Sequence, residues 1–116
     1  MRARARVAGG GEIVLAERVA LARGFVASAR GLLGVSALPT RDMDAMALVP
    51  CVQVHTRGMA FAIDVLMLSP SGRVVAAHES VAPGRSLPAA FGATWALELP
   101  AGTVAGRKVL HVRLER

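Results

Sequence analysis

The sequence predicts a mainly β fold: a single-domain β-sandwich or partly open barrel of six to seven strands with one N-terminal helix. Three observations carry this reading. Beyond Gly34 the apolar residues alternate with period two or form short unbroken runs, as strands do. Those runs are separated by turn signals at Ser69–Gly72, Pro83-Gly84 and Pro100–Gly102. Only one stretch, from Leu21 to Leu33, has helical spacing.

The elements follow in order. Glu12–Val19 is short and apolar, a strand. Leu21, Phe25, Ala29, Leu32 and Leu33 then recur at spacings of four, four, three and one, which is a helical stripe. Gly34 sits where such a helix stops, and Gly24 and Gly31 lie inside it. Ala45–Val49 precedes Pro50 as a strand, and Val52 and Val54 alternate with Cys51, Gln53 and His55. Ile63–Leu68 is a strand with one polar interruption. Ser69-Pro70-Ser71-Gly72 fits a type I turn, with Pro and Gly at its second and fourth positions. Arg73–Val81 returns as the partner strand, with Leu66 opposite Val75 and Asp64 opposite Ala77. Thr94–Leu99 and Val109–Leu114 complete the set, the last with one wet face.

Composition narrows the class. The chain has 116 residues, 53% hydrophobic and 19% charged, which excludes a disordered chain and suits one domain. The longest stretches free of Asp, Glu, Lys and Arg, Ala45–Thr56 and Ser86–Leu97, hold twelve residues each. A spanning helix needs roughly 20 apolar residues, so no membrane insertion is expected. Cys51 is the single cysteine, so no internal disulfide forms. Three glycines and Glu12 follow the first arginines, which does not suit a secretory leader. A cytoplasmic protein is the expectation.

Net charge is +6, and 13 of the 14 basic residues are Arg. Arg2, Arg4 and Arg6 fall within the first six residues, ahead of Gly9-Gly10-Gly11. Residues 1–11 read as a flexible basic arm, mobile and dispensable for folding, and residues 12–116 as the β-rich domain. Such an arm is a candidate nucleic-acid contact.

Order and spacing of several segments resemble a known family. Arg30-Gly31-Leu32-Leu33-Gly34 is followed by Val49-Pro50-Cys51, His55-Thr56-Arg57-Gly58-Met59, Phe61-Ala62-Ile63-Asp64-Val65, Pro83-Gly84-Arg85 and Leu97-Glu98-Leu99-Pro100-Ala101-Gly102. This set is similar to the bacterial and archaeal family catalogued as domain of unknown function 192, over roughly Glu12 to Leu114. The chain departs from the family pattern in having Arg57 where Phe is common and Ala62 where Pro is common. Gly106-Arg107-Lys108 stands where a Gly-Asp pair usually precedes the last strand. The resemblance implies a small, mainly β domain and supplies no mechanism.

Chemistry is therefore read from the residues. Asp64 shares a strand face with Leu66 and Leu68, so it lies at the sheet rim or is buried with partners. The expected partners are backbone N–H groups of the His55–Met59 bend or an arginine fork. Glu98 lies opposite the face of Trp95, Leu97 and Leu99. It is an exposed residue, a partner for an arginine such as Arg30, or the second carboxylate of a pair. His55, His78 and His111 lie on separate strands without the short-range pairs of metal sites, so no metal or cofactor is expected. Cys51 and His55, on one strand face, would be about 13 Å apart, too far for a nucleophile and its base.

The leading expectation is a non-catalytic binding or interaction module for a small molecule or protein. Its cleft is bordered by His55, Thr56, Met59, Asp64 and Glu98, with Arg85 as an anion-facing group. The alternative is a small hydrolase or lyase using Asp64 with Glu98 or His55. The second alternative is a nucleic-acid accessory using Arg2, Arg4 and Arg6.

Overall fold

A computed structural model describes residues 1–116. Eight strands and one short helix follow in the order β1 (Arg2–Val7), β2 (Glu12–Ala16), β3 (Val19–Arg23), α1 (Phe25–Arg30), β4 (Ala45–Val49), β5 (Ile63–Leu68), β6 (Val74–Val81), β7 (Trp95–Pro100) and β8 (Val109–Glu115). They make two sheets, β2-β1-β8 and β3-β4-β7-β5-β6, with no closed barrel. The fold is mainly β, as expected, with eight strands instead of six or seven. No helix is long and apolar enough to cross a membrane.

The first core lies between the sheets, where Ala3, Ala5, Val109 and Val112 of the small sheet meet Leu66, Leu68, Leu97 and Leu99 of the large one. A second core covers the other face of the large sheet. There Ile63, Val65, Met67 and Ala96 pack under Leu32, Val54, Met59 and Leu87 from the connecting segments. Burial on both faces explains why β5 is apolar at every position but Asp64, and why all six of its residues are buried.

The N-terminal segment is the largest correction. Arg2–Val7 is not a mobile arm but the middle strand of the three-stranded sheet, paired antiparallel with β2 and β8. The alternation of Arg with Ala is a period-two pattern. Ala3 and Ala5 are 0% and 1% exposed and face the core, and the arginines face outward. Arg2 pairs with Glu17 at 3.0 Å and Arg4 with Glu115 at 3.1 Å.

The helix is shorter than its stripe. Leu21 belongs to β3, and α1 runs only from Phe25 to Arg30. Gly24 at φ 96° turns the chain out of β3, and Gly31 at φ 51° ends the helix; both values favour glycine. Phe25 and Val26 are left 82% and 86% exposed. Because the α1 segment bridges β3 to β4, those two strands pair in parallel.

The hairpin forms antiparallel as expected, with a shifted register. Leu66 faces Ala77, not Val75, and the segment 77–78 no longer reaches Asp64. One irregularity falls between Met67 and Leu68 and a second between Ile63 and Val65. Each places extra β6 residues against β5, as bulges do. At the second, Ser80 has φ 49° and turns its N–H toward Asp64. Val52–His55 forms no strand; only a single bridge joins His55 to Ser86.

Candidate functional site

Two buried carboxylates lie side by side in the large sheet and meet opposite environments. In the β5–β7 pairing Asp64 faces Leu99, and Val65 faces Glu98. Directly paired residues share a face and neighbours along a strand do not. Asp64 therefore points to the first core and Glu98 to the second. The sheet separates them, so the paired-carboxylate arrangement of the hydrolase reading is not formed.

Asp64 is 0% exposed and fully partnered. Oδ1 accepts the N–H of Ser80 at 2.8 Å and of Gly102 at 3.2 Å, and Oδ2 accepts the N–H of Val104 at 2.9 Å. Backbone donors hold it, as expected, but they come from the β6 bulge and the turn after β7. Neither the His55–Met59 bend nor an arginine supplies one. These three bonds tie β6 and the 102–104 turn to β5.

Glu98 is 2% exposed, and its Oε1 has no hydrogen-bond partner. Burial pushes its carboxyl up to about 7, because a charge without partners is disfavoured in an apolar setting. No ion pair joins it to Arg30, the partner considered from sequence. Oε1 lies under the chain at Gly31: a Cβ built there would stand 3.2 Å from it, with Leu48 side-chain carbons at 3.7 and 3.8 Å. A side chain at Gly31 would crowd that oxygen, and the φ of 51° there also favours glycine. Burial also raises the Cys51 thiol, with the nearby Glu98 carboxylate adding to the rise, so Cys51 is a poor nucleophile.

Gly31 and Leu48 also belong to the wall of a cavity of about 150 Å³. Its other walls are the end of α1 with Arg30, the residues Leu32 and Leu33, and the segment Gln53–His55 with Met59. Glu98 thus lies beneath the wall of a small cleft whose rim carries Arg30 and His55.

The remaining candidates divide. His55 and Met59 line this cleft. Thr56 is 0% exposed and is turned away into the 82–85 loop: its Oγ1 donates to Ala82 O at 2.7 Å and accepts Arg85 N–H at 2.9 Å. Arg85 is exposed and contributes its backbone to that loop, not a side chain to the cleft. His55, His78 and His111 join no cluster of His, Cys, Asp or Glu placed to hold a metal ion. Residue-by-residue reading missed Gly31, Leu33 and Gln53. The segment Arg30–Gly34 stood out as a pattern, but nothing in its sequence places Gly31 over Glu98.

Comparison with known proteins agrees with this architecture. Residues 5–111 match the family described as Uncharacterized ACR, domain of unknown function 192. No curated protein matches the chain. Among solved structures, a protein of unknown function from Novosphingobium aromaticivorans superposes with a TM-score of 0.77 at 20% identity, covering 98% of this chain and 84% of that one. A protein from Sinorhizobium meliloti, described as a candidate transcription regulator, superposes with a TM-score of 0.72 at 22% identity, covering 95% and 92%. Likenesses at this identity speak for the fold alone. The family match spans most of the sequence, and the chain belongs to that family.

Proposed function

We propose that this member of the domain of unknown function 192 family is a small-molecule binding module. Its site is the cleft between the Ser28–Leu33 segment and the Gln53–Met59 bend. The observation that supports this is the buried, unpartnered Oε1 of Glu98 beneath Gly31. A buried acceptor without a partner costs about 1–3 kcal/mol, and such groups gather where a ligand supplies the missing bond. The ligand this chemistry suits presents a hydrogen-bond donor, an ammonium or hydroxyl group, to Glu98. A cavity of about 150 Å³ admits a compact molecule or the head group of a longer one.

His55 and Arg30 at the rim are placed to contact the ligand's outer end, and Met59 and Leu32 to contact its apolar part. The Glu98 carboxyl, raised to about 7, also suits general acid–base work. Turnover of a bound molecule by wild type but not by Glu98→Gln would move the reading to an enzyme.

The test is titration of the labelled protein with small alkylammonium ions and polyols, followed by NMR. The expected result is saturable shifts at Leu32, Leu48, Val54 and Met59 that Glu98→Gln weakens. Shifts that are absent, or equal in the variant, would overturn the proposal.

A further inference from the structure

The largest cavity of the molecule, about 620 Å³, lies elsewhere, between β6, β1 and the chain entering β8. Four cations line it: Arg6 from β1, Arg73 from the start of the β6 hairpin arm, and Arg107 and Lys108 ahead of β8. None of the four forms an ion pair, whereas Arg2, Arg4 and Arg113 of the same small sheet are all engaged with Glu12, Glu17 or Glu115. One carboxylate, Glu79, lines the groove with them. The floor is apolar, built from Leu66, Val74, Val104 and Val109.

The backbone fixes the spacing of the cations. Arg6 pairs with His111 in the β1–β8 ladder, and Arg73 bridges to the same His111 from the other side. Two strand separations therefore lie between their Cα atoms, about 10 Å. From Cα atoms that far apart, two arginine side chains can reach two anionic groups of one compact ligand. Arginine forks match phosphoryl oxygens two at a time. Four positive charges against the single carboxylate of Glu79 around a concave surface also draw an anion into it.

We infer that this groove is a second binding site, separate from the Glu98 cleft, for a small oligophosphate or a metabolite carrying two or more phosphoryl groups. A nucleic-acid strand is disfavoured because the groove has no aromatic side chain on which a base could stack.

Inorganic triphosphate is the probe. Calorimetry at low salt should show one site per chain, with NMR shifts confined to the groove lining, that is Arg6, Leu66, Arg73–Glu79 and Val104–Leu110. The double variant Arg73→Gln, Arg107→Gln changes exposed residues and should melt like wild type while losing at least about tenfold in affinity, as expected on removing two charged hydrogen-bond donors. Glu98→Gln should bind triphosphate unchanged, which separates this site from the cleft. Absence of saturable binding, equal affinity in the double variant, or shifts at other residues would overturn the inference. So would citrate binding as tightly as triphosphate, since that removes the phosphoryl assignment. Single-stranded DNA binding more tightly than triphosphate through the same residues would replace the small ligand with a nucleic acid.

Discussion

Glu98 gives stability a pH dependence of unusual sign for a carboxylate. Its ordinary value is 4.5, and burial raises it to about 7 in the folded protein. The folded state therefore holds this proton more tightly than the unfolded state does. Stability from this group is complete below 4.5, is lost as pH rises, and is gone above 7. The gap between the two values corresponds to about 3 kcal/mol. Carboxylates such as Glu115, lowered first by its hydrogen bond from Arg4, act in the opposite direction, so the total profile mixes both signs. The difference between wild type and Glu98→Gln isolates the term, because glutamine keeps the shape and never ionises. Urea unfolding of both proteins at acid pH and at about pH 8 should show the variant gaining about 3 kcal/mol relative to wild type across that range. A difference that stays flat, or that moves in favour of wild type, would mean Glu98 is ionised and satisfied in the folded protein.

Asp64→Asn should cost about 3–5 kcal/mol in urea unfolding, because an amide NH₂ then meets buried N–H groups that now donate to a carboxylate. His55→Ala, at an exposed position, should change stability by no more than about 0.5 kcal/mol; the reverse order would exchange their structural and functional roles. Deleting residues 1–10 removes the strand between β2 and β8, so the shortened chain should lose cooperative unfolding in a thermal scan. A shortened chain that melts within a few degrees of the full one would show that β1 is dispensable.

The strands β4, β5, β7 and β8 were legible because apolar runs or alternation stood between Pro and Gly signals. β1 was hidden by its chemistry. Three arginines in six residues read as a charged tail, and alanine contributes little apolar area, so the buried side of the alternation carried almost no hydrophobic signal. The helix was overextended because Leu21, Phe25, Leu32 and Leu33 satisfy helical spacing by coincidence. In the structure two glycines cut the segment, and Leu32 is buried from an irregular turn. At the site, Asp64 announced itself as an acid inside an apolar run. Its donors did not, since Gly102 and Val104 reach it from 38 and 40 residues away. Glu98 was assigned to the face opposite the leucines, which is correct. Whether that face is wet or covered depends on the irregular segments around Leu32, Val54 and Met59, which carry no periodic signal.

The two acids show how one sheet gives neighbouring carboxylates opposite surroundings. They stand one register step apart across β5 and β7, in the same polypeptide environment except for what covers each face. On the first face the 102–104 turn folds back and, with Ser80, offers its N–H groups, so both oxygens of Asp64 are engaged by backbone donors. On the second face the cover is the Arg30–Leu33 turn, which at Gly31 brings neither a side chain nor a donor. Glu98 is therefore buried almost as deeply as Asp64 yet keeps an unpartnered oxygen. The two are mechanically linked as well. The turn that Asp64 holds directly follows β7, the strand that carries Glu98, so the saturated acid fixes the end of the strand on which the unsaturated one is presented.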